Sequence, residues 1–428
     1  MRPSSSPPPS NPSASAPLPS SASAPTSRLA GASSSLRPVL LLIGILLIAA
    51  NLRAPVTGLA PVLAMIQDAF ALGTAHAGLL TTLPLLAFAL VSPLAPGLAR
   101  HVGLERALFG ALVLIAGGVA LRSAGPAWSL FAGTAVIGAG IAVGNVLLPA
   151  LLKRDFPHRI ASVTGAYALS MGIAAALASA TVFPLATTGG LGWSGALLAM
   201  IVLPLTALLL WWPQLGGHAA LAATGSAPTS GRPIWRHALA WQVTLFMGLN
   251  SFVYYVMIGW LPAILASRGY SAAEAGTLHG WMQLASALPG LLLGPLIQRL
   301  PDQKRIAAAM ALLVAAGLFG LQALPALAGL WVSLFGFGAG ACIILALMFM
   351  GLRTHEPRQA AALSGMAQCV GYLLAAFGPP LIGGLRDAAQ DWDLALMVCL
   401  AMALGMAGLG MLAGRDRKIP GAVSTPQA

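Results

Sequence analysis

The chain has 428 residues, 58% of them hydrophobic and only 7% charged, with a mean hydropathy of +0.85. Soluble domains carry about 25% charged residues, so a soluble globular protein is excluded. The formal net charge of +12 would point a soluble protein toward nucleic acid; here it follows from the sidedness of the loops.

Residues 1–36 are mostly Ser, Pro and Ala, with Arg2 and Arg28. They hold no apolar stretch and cannot bury a core, so a disordered tail is expected. A secretory signal peptide has a short apolar core soon after a charged start; here the first apolar run arrives too late and is too long. Twelve apolar runs come next, near 38–66, 76–98, 104–122, 128–151, 160–184, 191–212, 238–266, 273–297, 304–322, 327–351, 361–384 and 392–413. A helix needs about 20 apolar residues to cross a bilayer, and these runs are continuous where barrel strands would alternate. The expected fold is an all-α membrane protein of twelve transmembrane helices. The longest connection, 213–236, is rich in Gly, Ala, Ser and Thr and reads as a flexible linker. It separates an N-terminal six-helix bundle, 37–212, from a C-terminal one, 237–414, and 415–428 form a second tail. Cys342, Cys369 and Cys399 lie in apolar runs and read as small packing residues. No disulfide, metal site or cofactor is expected.

Lys and Arg mark the cytoplasmic side of a helical membrane protein. With the N-terminus inside, the tails and even-to-odd connections hold nearly all of them, Arg100, Arg106, Lys153, Arg154, Arg236, Lys304 and Arg353 included, while the other side keeps Arg122, Arg268 and Arg386. Both termini are therefore expected in the cytoplasm. The halves also echo each other. Gly138-Ala139-Gly140 recurs as Gly338-Ala339-Gly340, Leu152-Lys153 as Leu352-Arg353, and Thr164-Gly165 as Ser364-Gly365, each offset by 200 residues. Parallel six-helix halves joined by a cytoplasmic linker match the architecture of the major facilitator superfamily, which works by alternating access.

One charge sits deep in a span. Arg53 lies mid-run in Asn51-Leu52-Arg53-Ala54-Pro55, where a cation costs about 3 kcal/mol on insertion scales. Its planar fork of donors suits a carboxylate-like anion. The other reading ties it to backbone carbonyls freed by Pro55. Thr57 is one turn on and shares its face; Asn51 points elsewhere, toward a bond with a neighbouring helix. Asn145 in span four and Tyr167 in span five need partners at their depth, from cargo or from adjacent helices. Asn250, Tyr254 and Met257 follow helical spacing along span seven, with Tyr255 beside them. His279 and Gln283 share a face of span eight, as Gln368 and Tyr372 do on span eleven; each pair lines a cavity or bonds to the next helix. His279 is the proton-coupling candidate, because no Asp or Glu is placed within a span. Pro55, Pro84, Gly378, Pro379 and Pro380 would permit bending in spans one, two and eleven, or form static kinks.

Several segments resemble the bacterial cyanate and nitroimidazole permeases of the major facilitator superfamily. They are Asn51-Leu52-Arg53, Ala77 to Pro84, Leu98-Ala99-Arg100 with Gly103 to Arg106, and Gly144 to Pro149 with Lys153 to Pro157. In the second half they are Tyr255 with Trp260-Leu261-Pro262, Ala273 to Gly276, Leu363 to Met366, and Gln368 with Gly371-Tyr372-Leu373. The resemblance covers about 37 to 413 and implies a plasma-membrane carrier of small polar or anionic solutes. The superfamily's loop between spans two and three normally carries an Asp where Arg100 stands. Glu105 and Asp155, beside Arg106, Lys153 and Arg154, are candidate substitutes in a cytoplasmic gate, or else solvated loop charges.

Other classes are weighed against this. Gly192-Trp193-Ser194-Gly195 has the form of a rhomboid protease motif, but no His partner lies near it in sequence. The chain has no G-x-x-x-x-G-K-[ST] loop and no H-E-x-x-H. The expected function is an inner-membrane transporter, monomeric, with no enzyme activity and no nucleic-acid partner. The alternatives are an exporter of drug-like compounds on the same fold and a non-transporting sensor.

Overall fold

Apolar runs in lipid must satisfy every backbone group internally, and the helix does so. The computed structural model describes residues 27–216, 234–297, 300 and 302–420, and among them there is no strand. Eleven segments are long and apolar enough to cross a membrane: Val39–Phe70, Thr74–Val91, Leu104–Arg122, Ala127–Asp155, Ser162–Ala186, Gly192–Gly216, Ala238–Ser267, Lys304–Ala323, Pro325–Leu352, Gln359–Ala389 and Asp393–Ala413. The twelfth, span eight, is divided into Ala272–Ala287 and Pro289–Ile297, each too short alone. Together they are the twelve expected spans.

The breaks fall at prolines. Pro lacks a backbone donor and fits the first turn of a helix but not its interior. In span one the helix Ser27–Asn51 stops and resumes as Ala54–Thr57, with Pro55 in its first turn. Pro61 opens a 3-10 turn, Ala60–Val62, before Leu63–Phe70. Pro289 restarts span eight. Span eleven breaks between Pro357–Ala376 and Gly378–Ala389, with Pro379 in the new first turn. Pro84 behaves differently, sitting within an unbroken helix, Thr74–Val91.

Two sequence expectations need correction. Helix begins at Ser27, inside the stretch expected to be a disordered tail; Leu29, Ala30, Ala32 and Leu36 favour helix. Residues 1–26, most of the linker (217–233) and 421–428 lie outside the described residues. The internal repeat is also out of register by two residues at span four. A methyl added at Gly140 would meet Ala111 O at 2.7 Å and Ile115, and one added at Gly338 would meet Met310 O at 2.7 Å and Val314. Gly140, not Gly138, is therefore the counterpart of Gly338. Gly138 faces Pro84 of span two, and its counterpart is Gly336, which faces Met282 of span eight. Small residues are common enough here for a false register to look gapless.

From residue 41 onward the chain forms one compact unit. Within it the halves meet along two seams, span two against span eleven and span five against span eight. The seams are tightest toward the connections between spans one and two and between spans eleven and twelve. There a Cβ on Gly78 would lie 2.8 Å from the backbone of Pro379 and Pro380. Thr82 Oγ1 donates across the seam to Ala376 O at 2.7 Å, while Trp260 Nε1 holds Pro379 O from within the C-terminal half at 2.9 Å. Span two begins with Gly73, which has no side chain to cap the helix, and the Ala75 amide donates instead to Asp387 Oδ2 of the other half at 3.3 Å. We call this the sealed end, and the opposite one the basic end.

Candidate functional site

Between the seams lies a cavity of about 520 Å³. Its lining comes from both halves: Arg53, Phe88, Asn145 and Tyr167 from spans one, two, four and five, and Asn250, Tyr254, Tyr255, Ser286, Gly340, Gln368 and Tyr372 from spans seven, eight, ten and eleven. It reaches Ser92, Pro149, Gly290 and Leu347, which lie near the basic ends of their spans.

Arg53 is placed by the first-span break. Leu52 and Arg53 leave the helix between Asn51 and Ala54, with Arg53 at φ −132°, ψ −43°. Its backbone carbonyl stays useful, accepting from the Val56 and Thr57 amides at 3.1 Å. The guanidinium crosses to the other half. Nη1 donates to Ser286 Oγ at 3.2 Å, Nη2 donates to the Tyr254 hydroxyl, and Cζ stands 5.2 Å from the Tyr254 ring centroid, a cation–π contact. Aromatic walls surround it. Phe88 and Tyr372 meet edge to face across the halves with ring centroids 5.6 Å apart, and Tyr254 and Tyr255 do so at 5.8 Å. The arrangement offers one fixed positive charge, several hydroxyls and amides, and flat apolar faces, with no carboxylate in the lining.

Of the residues singled out in the sequence, the structure brings Arg53, Asn145, Tyr167, Asn250, Tyr255, Gln368 and Tyr372 together at this cavity. Gln368 also donates to Ser364 Oγ at 2.9 Å, and the buried Asn250 Oδ1 has no protein partner. Three others lie behind the wall. Thr57 is fully buried, its hydroxyl among the carbonyls of Arg53, Ala54 and Ala175; the break turns it away from the face it would share with Arg53 in a straight helix. Gln283 and His279 are fully buried, Gln283 meeting the cavity-lining Tyr254 hydroxyl and His279 lying behind Gln283. Asn51 bonds within its own helix, Nδ2 donating to Leu47 O at 2.9 Å, and not to a neighbour.

Sequence reasoning missed Tyr254 and Ser286 as direct partners of Arg53. Tyr254 carried a signal, four residues from Asn250 on one helix face; a serine in an Ala-rich span carries none. It also missed Arg122. That residue ends span three, yet its side chain is 1% exposed and Nη1 donates to Pro55 O at 2.6 Å. It thereby occupies a carbonyl beside the first-span break. Of the cysteines, Cys342 and Cys399 are buried as expected, but Cys369 is exposed.

At the basic end, Arg154 Nη2 donates to Glu105 Oε1 at 2.6 Å, and Nε and Nη2 grip Asp155 at 2.7 and 2.9 Å. All three residues belong to the N-terminal half. The corresponding corner of the C-terminal half uses a buried Arg353, which donates to Gln303 and to the carbonyls of Ala413 and Gly414. Nearby, the Lys304 ammonium bonded to Asp302 holds its carboxyl below the usual carboxylate range. Arg154→Gln leaves the buried Glu105 without its cation, so unfolding is expected to become easier by about 2 kcal/mol. A thermal melt of the purified variant, compared with Arg100→Gln, checks this; equal melting temperatures refute it.

The Major Facilitator Superfamily profile matches residues 39–379. The chain is 58% identical over 383 residues to the 2-nitroimidazole transporter of Escherichia coli, covering 89% of this chain and 97% of that one. It is 74% identical over 120 residues to a putative anionic 4-hydroxy-benzoate permease of Thauera aromatica, covering 27% of this chain and 73% of that one. The fold is similar to the crystal structure of a D-xylose–proton symporter, with a TM-score of 0.70 at 14% identity, over 89% of this chain and 98% of that one.

Proposed function

The chain belongs to the major facilitator superfamily, and from that premise we propose that its cavity carries a small planar anion or polar azole received by Arg53. The protein is a multi-pass membrane transporter of small solutes, not an enzyme. The observation that carries the cargo reading is the one guanidinium in a lining otherwise made of aromatic, hydroxyl and amide groups. A guanidinium pairs with a carboxylate through two parallel bonds, while ring faces hold flat solutes by their area. The named cargoes of two relatives, 2-nitroimidazole and anionic 4-hydroxybenzoate, are both flat and polar.

The mechanism we propose is alternating access. The sealed end faces out and the cavity opens at the basic end, which the positive-inside rule puts in the cytoplasm together with both termini. The membrane is the bacterial inner membrane, and the unit is a monomer, because one chain supplies every wall of the cavity. Cargo binds between the halves, the two seams part, and the opposite face closes. The remaining candidates (Asn145, Tyr167, Asn250, Tyr255, Gln368 and Tyr372) orient the cargo around Arg53.

Purified protein is to be screened for thermal stabilisation by small carboxylates, cyanate, azoles and lipophilic drugs. Stabilisation by carboxylates or azoles is expected. Stabilisation by lipophilic drugs alone refutes the reading and favours the exporter.

A further inference from the structure

The Arg53 fork already has an occupant. Ser286 Oγ sits on Nη1 and the Tyr254 hydroxyl on Nη2, and these two oxygens are 3.2 Å apart. One oxygen on each terminal nitrogen is the way a carboxylate meets a guanidinium. Both acceptors belong to the C-terminal half, and Arg53 belongs to the N-terminal half.

A chain of hydrogen bonds sets which way these hydroxyls point. Ser179 Oγ donates to Gly276 O at 3.1 Å, so at 2.7 Å it accepts from His279 Nδ1. A neutral His279 with its proton on Nδ1 accepts at Nε2 from Gln283 Nε2, 3.2 Å away; the network assigns the tautomer. Gln283 Oε1 is then free to accept the Tyr254 hydroxyl proton at 2.7 Å. Ser286 Oγ donates to Gln283 O, also at 2.7 Å. Both hydroxyl protons are thus directed away from Arg53, and both oxygens turn lone pairs toward it. Every side chain in this network except Arg53 is buried, so the arrangement is fixed before any cargo arrives.

We infer that Tyr254 and Ser286 are a built-in competitor for the Arg53 fork, which an anionic cargo displaces, and that they set cargo affinity by that competition. The inference rests on Arg53 being the cargo site. It makes cargo arrival and release of the C-terminal half from Arg53 one event. It also gives the buried His279 and Gln283 a positioning role, holding Tyr254 as acceptor.

The test is calorimetric titration of the full chain in nanodiscs with 4-hydroxybenzoate as probe. Tyr254→Phe keeps the ring under the guanidinium and removes the competing oxygen. It is expected to tighten binding about fivefold, and Ser286→Ala about twofold, because a lost hydrogen bond of this kind changes an equilibrium by such factors. Tyr254→Phe is also expected to melt at a lower temperature than the parent; a purely structural role lowers stability without raising affinity. Probe binding seen only after Tyr254→Phe supports the inference as well. Unchanged or weaker binding in both variants, with Arg53→Ala still unable to bind, overturns the competition and leaves Arg53 as the site. Undiminished binding by Arg53→Ala, or no binding by any variant, removes the cargo reading and this inference with it.

Discussion

Arg53→Ala is expected to lower saturable uptake by about thirtyfold or more, since truncating one partner of a buried charge pair costs about 2–5 kcal/mol. Arg53→Lys is expected to recover part of that loss. An ammonium keeps the charge but not the planar fork, and it places its donors differently against Tyr254 and Ser286. The measurement is counterflow of a radiolabelled carboxylate in proteoliposomes, with the amount of folded protein checked by its elution profile. Full activity in Arg53→Ala would leave Arg53 a structural cation that only ties span one to Tyr254 and Ser286 of the other half. Full activity in Arg53→Lys with none in Arg53→Ala would show that charge, not bidentate geometry, is what the cargo needs.

Gly78→Leu should stop transport by a different route. At this position the neighbour is the Pro379–Pro380 backbone, 2.8 Å from where a Cβ would sit, and a backbone cannot rotate aside as a side chain can. Overpacking of this kind costs up to about 3 kcal/mol, which lowers the population of the sealed state roughly a hundredfold. The halves remain folded, because the clash lies between them and not inside either. A cysteine at Thr74, on the seam beside Gly383, in a Cys369→Ser background, is expected to react faster with a membrane-impermeant thiol reagent after Gly78→Leu. Parental rates of both labelling and uptake would show that the seam at Gly78 does not close the cycle.

How much of this was legible in the sequence depended on the kind of information required. Span positions were readable because lipid forces long apolar runs, and the breaks at Pro55 and Pro379 because proline has no amide to give; the break at Pro289 was not read. Pro84 shows the limit of that rule: the helix around it holds without a break. Arg53 was readable because a cation has few reasons to be so deep. Its partners were not, since Tyr254 and Ser286 lie 201 and 233 residues away and only packing between the halves brings them near. Thr57 failed for a local reason. Helical spacing predicts a shared face only while the helix is continuous, and the break at Leu52 and Arg53 rotates the turn that holds Thr57. The two-residue register error at span four has a related origin, because matching glycines by spacing cannot tell which neighbouring helix each one faces.

The seal between spans two and eleven has a consequence for how tightly the transporter must hold its solute. Two of its bonds cross between the halves through peptide groups: Thr82 to Ala376 O, and the Ala75 amide to Asp387. Peptide groups exposed by opening are taken up by water, so each bond is worth only about 0.5–1.5 kcal/mol net. A ligand moves a conformational equilibrium by no more than its difference in affinity between the two states. Two such bonds amount to at most about 3 kcal/mol, less than the roughly 4 kcal/mol that a solute of millimolar affinity releases on binding. A weakly held solute is therefore enough to turn the cycle, and tight binding would slow its release without making the seal any easier to open.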